Sequence, residues 1–295
     1  MTAMPSRPTG APRYPEAMNW YPEKSDSLRA AYSEYLAVAG DAAFIDISRC
    51  TDPARTDQPW KSFDFLIQNF GTPPVVQIWT KGPREVLSRG RALLTFLREQ
   101  KTTILCQLTV TGLGPEIEPD VPWQVDWDGI EKLIVFLGTP EAVLWRYDPV
   151  FPGLSDISEL RNLAANFASR GVNKAVYNQA EYGLELVGRR MGAQVARIDS
   201  AVDANVFSRE IEAAGRDYGV SFTTLAEGEK LDRTLSLSSR GCWQYEWLAR
   251  VGHGFPSRDF LPGAKRPGCM CAHSFDVGRP GQFAACHRCV YCFAP

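Results

Sequence analysis

From residue 42 onward the chain alternates short apolar runs with longer amphipathic ones. The stretches 43–47, 75–79, 103–110, 142–147, 174–178 and 220–224 are apolar, strand-length and suited to burial. Between them lie helical patterns. Residues 59–70 carry Trp60, Phe63, Phe65, Leu66 and Phe70, and residues 83–99 open on Pro83 and repeat Val86, Leu87, Leu93, Leu94 and Leu97. Residues 126–138 start at Asp126 and repeat Ile130, Leu133, Ile134 and Leu137; 156–169 and 203–217 also begin acidic and keep a helical period. Strand starts recur at roughly thirty-residue intervals, the length of a βα unit.

This order predicts an α/β fold with parallel strands, a partial or complete (β/α) barrel of at least six strands. Residues 27–38 read as a helix. The segment before them holds Pro5, Pro8, Pro12, Pro15 and Pro22 and reads as an extended arm, with Tyr14, Trp20 and Tyr21 as anchoring points. Residues 180–200 read as an insertion with its own helix. The organisation expected is an arm and helix over 1–41, a barrel over 42–255 and a cysteine-rich tail over 256–295.

Polar residues follow each strand. They are Arg49 and Asp52 after the first, Lys81 after the second, Gln107 and Thr109 on the third, Arg146 and Asp148 on the fourth, Asn178 on the fifth, and Glu227 beyond the sixth. In a barrel these positions open on one face, where active sites sit. Singly, each also suits a cap or a turn, as Asp52 and Asp148 before proline show. Arg146 and Asp148 should project to one side of their strand and Tyr147 to the other, with Pro149 favouring an extended exit. Arg49, Lys81 and Arg146 among carboxylates suit a zwitterionic ligand such as an amino-acid moiety.

The tail changes the picture from fold to chemistry. Five of the eight cysteines fall at its end: Cys269, Cys271, Cys286, Cys289 and Cys292. The last three follow CxxCxxC, a spacing that curls thiolates around one centre as in ferredoxin clusters. The fourth ferredoxin cysteine would fall just past Pro295, so the loop offers three local ligands. A cubane held by three cysteines leaves one iron open. Zinc is the alternative, with Cys269, Cys271, His273 or His287 as fourth ligand. Cys269 and Cys271 could equally hold a second metal or pack. A disulfide framework fits poorly with a long chain lacking a secretory signal.

Composition adds exclusions. The net charge of −2 argues against a broad nucleic-acid footprint, and 44% apolar content supports a real core. Three histidines are too few for a histidine-rich centre. With no apolar leader and no bilayer-length segment, a cytoplasmic location is expected.

The tail resembles the cluster motif of radical S-adenosylmethionine (SAM) enzymes, CxxxCx-aromatic-C, with Tyr291 as the aromatic residue. From Phe44 to Pro295 the chain is similar to an uncharacterised bacterial domain-of-unknown-function family with such a cluster at the C-terminus. The stretches that carry the resemblance are 48–52, 79–81, 107–114 with 117–119, 145–149, 226–227, 241–242 and Cys269-x-Cys271-x-x-Ser274-x-Asp276-x-Gly278. Two departures stand out: the cysteine spacing is one residue short, and Leu225 stands where family members tend to have cysteine.

The resemblance implies an enzyme in which Cys286, Cys289 and Cys292 hold a [4Fe–4S] cluster over the barrel mouth. SAM would be cleaved reductively, either for hydrogen abstraction by a deoxyadenosyl radical or for aminocarboxypropyl transfer. Arg146, Asp148, Lys81 and Glu227 are the catalytic candidates. Arg49, Asp52, Gln107, Thr109, Asn178 and Tyr291 are the candidates for holding SAM. The implied partners are a small-molecule substrate and a reductant such as flavodoxin or ferredoxin, with neither nucleic acid nor membrane. The rivals are a zinc-stapled binding protein and a simple electron carrier.

Overall fold

The computed structural model describes residues 22–49, 51–151, 153–179, 185–192, 204–224, 274–278 and 286–292. The expectations for the N-terminal arm, for Leu225 and Glu227, and for Cys269, Cys271 and His273 lie outside the described residues.

The chain opens with α1 (Pro22–Ala39) and then alternates β1 (Phe44–Ile47), α2 (Gln58–Phe70), β2 (Val75–Thr80), α3 (Pro83–Glu99), β3 (Thr103–Thr109), α4 (Trp127–Leu137), β4 (Val143–Val150), α5 (Ile157–Ser169) and β5 (Lys174–Gln179). After these come α6 (Glu185–Met191), α7 (Ala204–Tyr218), β6 (Ser221–Thr224) and β7 (Phe275–Asp276). All described pairings are parallel, and the strands form one sheet in the order β6-β5-β4-β3-β2-β1-β7. Each of the six predicted strands and its helix stands where the periodicity placed it, to within a few residues at the ends.

Helix ends follow local chemistry. Asp126 and Asp156 accept from the backbone N–H of Gly129 and Ser158, so each satisfies a donor the first turn leaves open. Gly138 ends α4 at φ 86°, a left-handed value that costs glycine little. Gly90 matters for packing instead: the ring of Trp60 lies where a Cβ would stand, which lets α2 and α3 approach closely.

One sheet face is covered by helices. Ile45, Ile47, Val76, Ile78 and Ile104 pack with the buried residues of α1, α2 and α3. Cys106, Leu108, Trp145, Tyr147, Tyr177 and Phe222 pack with α4, α5 and α7. Burial of each large apolar side chain contributes about 1.5–3 kcal/mol. Strand alternation turns the intervening residues to the other face. There Phe44, Val75, Leu105, Leu144 and Val176 are also buried or nearly so, and toward the strand C-termini the row becomes polar. A parallel sheet in sequential order with helices packed on one face is compatible with a partial barrel or a Rossmann-like layout; among the described residues β6 and β7 stand at its two ends.

Two details depart from the sequence reading. β4 does not leave the sheet at Pro149 but runs to Val150, and its pairing with β5 shifts register between Tyr147 and Val150. Proline has no N–H for the ladder, so the irregularity falls where a bond is missing. The other departure is β7, which periodicity did not predict. Its two residues pair with Ile45 and Asp46, and Phe275 packs 5.0 and 5.6 Å from the rings of Tyr32 and Tyr35.

Candidate functional site

Polar side chains on the other face of the sheet join into one chain of hydrogen bonds. Asp46 sits at its centre, wholly buried. Its carboxylate accepts from Gln77, from Trp79 Nε1 at 3.2 Å, from Arg49, and from Ser274 Oγ at 2.6 Å. Gln107 donates to Gln77 Oε1 at 2.9 Å, and Arg146 Nη1 donates to Gln107 Oε1 at 2.7 Å. Arg146 Nη2 pairs with Asp148, and its guanidinium lies 4.3 Å from the Trp79 ring centre. Each strand from β1 to β4 supplies a member, Ser274 just before β7 adds another, and Asp276 of β7 lies beside them. The Asp276 carboxylate accepts from the backbone N–H of Arg49 and Gly278. Burial, and then the charge of Asp46, push its carboxyl above the ordinary range.

The cysteine loop 286–292 lies at the C-terminal ends of the strands, the end that also carries Arg146. Two backbone bonds stitch it to the loop after β3, from Val290 N to Ile117 O at 3.0 Å and from Asp120 N to His287 O at 3.3 Å. Arg288, at φ 51°, turns the loop back and grips Asp120 with two bonds of 2.5 and 2.6 Å. Val290 and Tyr291 pack on Leu113, Ile117, Phe151 and Met191. Arg190 of α6 donates to Cys292 O at 2.6 Å.

Beneath the loop lie two buried polar centres. In the first, Asp52 Oδ1 accepts from Ala54 N and Thr80 Oγ1, each at 2.8 Å, while Oδ2 accepts from Lys81 N at 2.6 Å and faces His287 Nε2 at 2.8 Å. The other ring nitrogen of His287 faces Asp120 O at 3.3 Å. In the second, Lys81 Nζ meets Glu118 Oε1 at 2.7 Å, Tyr291 OH donates to the same oxygen, and Thr111 donates to Oε2 at 2.7 Å.

The charges follow from these partners. Burial works against the Asp52 carboxylate, but His287 and the backbone donors outweigh it and hold the group below its ordinary value. Glu118 is likewise depressed, since Lys81, Tyr291 and Thr111 overcome burial. Lys81 is raised, because Glu118, Cys289 and Asp52 outweigh its desolvation.

The thiols of the loop are Cys286, Cys289 and Cys292. Burial raises the Cys286 thiol, and that of Cys289 is pushed up to about 12 by burial, with Lys81 opposing and Glu118 adding to the rise. Cys286 also feels the charge of Cys292, and Cys289 that of Cys286. Among the described residues no three His, Cys, Asp or Glu side chains converge on a point fit for a single metal ion. A cubane asks for something wider, since each thiolate binds a different corner iron. Both ring nitrogens of His287 face protein acceptors.

The structure thus brings Arg49, Gln107, Arg146 and Asp148 into the interior chain, and Asp52, Lys81 and Tyr291 into the interface under the tail. The cations of the expected zwitterion site are already matched: Arg49 with Asp46, Lys81 with Glu118 and Arg146 with Asp148. Thr109 pairs in register with Arg146, and Asn178 lies one strand over and is buried. Sequence reasoning passed over Asp46, Gln77, Glu118 and Asp120 as site residues. A charged or amide residue inside an otherwise apolar strand, as in Phe44–Ile47 and Val75–Thr80, was the available signal for the first two.

No protein of curated function is similar to the chain. Among solved structures it is similar to the carboxyl transferase domain of Rhizobium etli pyruvate carboxylase with pyruvate and biocytin. That likeness is 13% identity over 64% of this chain and 27% of the other, at a TM-score of 0.30. The complete multifunctional pyruvate carboxylase from Rhizobium etli gives 11% identity over 73% and 18%, at 0.31. The chain spans less than a third of either protein, and likeness this distant carries nothing about activity. The family comparison is of another kind: a domain of unknown function, DUF1848, matches residues 71–294, and the chain belongs to that family.

Proposed function

We propose that this protein is a radical SAM-type enzyme built on a partial or complete (β/α) barrel, with the CxxCxxC loop carrying a [4Fe–4S] cluster over the barrel mouth. The observation that carries this reading is the docking of Cys286, Cys289 and Cys292 at the strand ends that also hold Arg146 and Asp148. Neither an electron carrier nor a zinc staple needs a buried polar interior of this extent beneath it. When bound, a reduced cluster supplies the electron that breaks a carbon–sulfur bond of SAM.

The chain's own residues would do the holding. Cys286, Cys289 and Cys292 would ligate the cluster, with Cys269 and Cys271 available for a further ligand or a second metal. Lys81 supplies a positive charge beside Cys289, which favours its thiolate. Arg146 is fixed by Gln107, Asp148 and Trp79, and a guanidinium is the group whose planar fork matches a carboxylate. Asn178 and Thr109 stand beside it with polar atoms for a ligand. Val290 and Tyr291, packed on Leu113, Ile117 and Phe151, would exclude water from one side of the mouth. Protein assembled with iron and sulfide without oxygen should be brown, and SAM should change the electron paramagnetic resonance signal of its reduced form. A colourless protein holding zinc after the same treatment contradicts the reading.

A further inference from the structure

We infer that Asp52 and His287 form a clasp that sets the position of the cysteine loop, making His287 a positioning residue for the cluster site. Its catalytic consequence rests on the radical SAM reading; the clasp itself does not.

Three observations converge on it. His287 is buried at 4% exposure and spans two loops, with Nε2 on Asp52 after β1 and Nδ1 on the Asp120 carbonyl after β3. Asp52 is a rigid anchor, because Ala54 N, Thr80 Oγ1 and Lys81 N already fix both its oxygens. The same residue donates its backbone N–H to Cys286 Sγ at 3.5 Å, so the carboxylate that holds His287 belongs to the residue that touches the neighbouring sulfur. A clasp between positions 52 and 287 therefore fixes Cys286 directly and, through the turn that joins Cys292 N to Cys289 O at 2.9 Å, the remaining thiols. Sequence position had suggested that Asp52 holds SAM; its oxygens are instead turned to the protein. The second tail anchor, Arg288 on Asp120, is exposed at the surface, where an ion pair contributes little.

Thiol alkylation of the metal-free protein, mapped by mass spectrometry, tests the clasp. Cys289 is buried within the docked loop, and Cys106 in the core serves as the folding control. His287→Phe keeps the ring volume and removes both nitrogens that face Asp52 and the Asp120 carbonyl. We expect Cys289 to react about tenfold faster or more in this variant, because the loop opens locally while the core stays closed. His287→Gln, whose amide still donates to Asp52, should recover part of the protection, and Arg288→Ala should change the rate far less. Wild-type protection of Cys289 in His287→Phe overturns the proposal. If Cys106 also becomes reactive in that variant, Asp52→Asn decides in the same way: faster Cys289 alkylation upholds the clasp and wild-type protection overturns it. In iron-loaded protein, His287→Phe should lower the reduction potential as the N–H bond to the Cys286 sulfur is lost. A wild-type protein that takes up no iron would defeat the proposed function and leave the alkylation result standing.

Discussion

Lys81 Nζ lies 2.7 Å from Glu118 Oε1 in a pocket roofed by Tyr291, with the two side chains 12% and 3% exposed. Removing one partner strands a buried charge, so Glu118→Gln should cost about 3–5 kcal/mol in the metal-free protein. Changing Lys81 to Met as well should recover part of that loss. The pH dependence has a definite sign. Glu118 is depressed below its ordinary 4.5, so its contribution is present above that value and lost as pH falls through the folded one. Lys81 is raised above 10.5, so its contribution is present below that value and lost as pH rises through the folded one. Urea denaturation between these limits and at acid pH should show a flatter acid limb in Glu118→Gln than in the wild type.

Arg146 is held by Gln107, Asp148 and the face of Trp79 at once. Lysine reproduces neither the fork nor the stacking. Arg146→Lys should therefore lose about 1–3 kcal/mol of stability by denaturation while remaining folded. If it is also the ligand clamp, the variant loads iron normally yet loses SAM binding. Near-normal turnover by the folded variant would rule out the clamp.

Gly278 follows β7, and a Cβ there would run into Ser48 of the adjoining loop and crowd Asp276. Gly278→Ala should detach β7 from β1 and free Phe275 from Tyr32 and Tyr35. Near-ultraviolet circular dichroism would report the loss of tyrosine packing, and an unchanged spectrum would contradict the close approach.

Two buried cysteines should part company. Cys106 lies in the helix-side core, where burial pushes its thiol up and it behaves as a small apolar side chain. Cys106→Ala should cost about 1 kcal/mol and leave iron uptake intact. Cys289→Ala should abolish cluster assembly, as should the same change at Cys286 or Cys292. Full iron and sulfide in Cys289→Ala would remove the loop from the metal site.

Periodicity made the α/β alternation legible, because strands buried on both faces read as apolar runs and their helices keep one apolar stripe. It could not show β7, whose two residues are too short to carry a period and whose partner Asp46 lies far away in sequence. Site residues were visible as types and strand ends, not as pairings. Arg146 with Asp148 was readable because strand alternation puts them on one side. Lys81 with Glu118 and His287 with Asp52 were not, since loops from different strands bring them together. The tail cysteines were plain from spacing alone, while their docking depends on Asp120 and Ile117, which nothing local marks.

The most direct measurement is product analysis. Wild-type protein, reconstituted with iron and sulfide without oxygen and then reduced, is incubated with SAM and its small molecules are identified by mass spectrometry. The proposed chemistry requires a cleaved product, 5′-deoxyadenosine for hydrogen abstraction or 5′-methylthioadenosine for aminocarboxypropyl transfer, absent from the Cys289→Ala control. Intact SAM alongside a fully loaded and reduced cluster would contradict it.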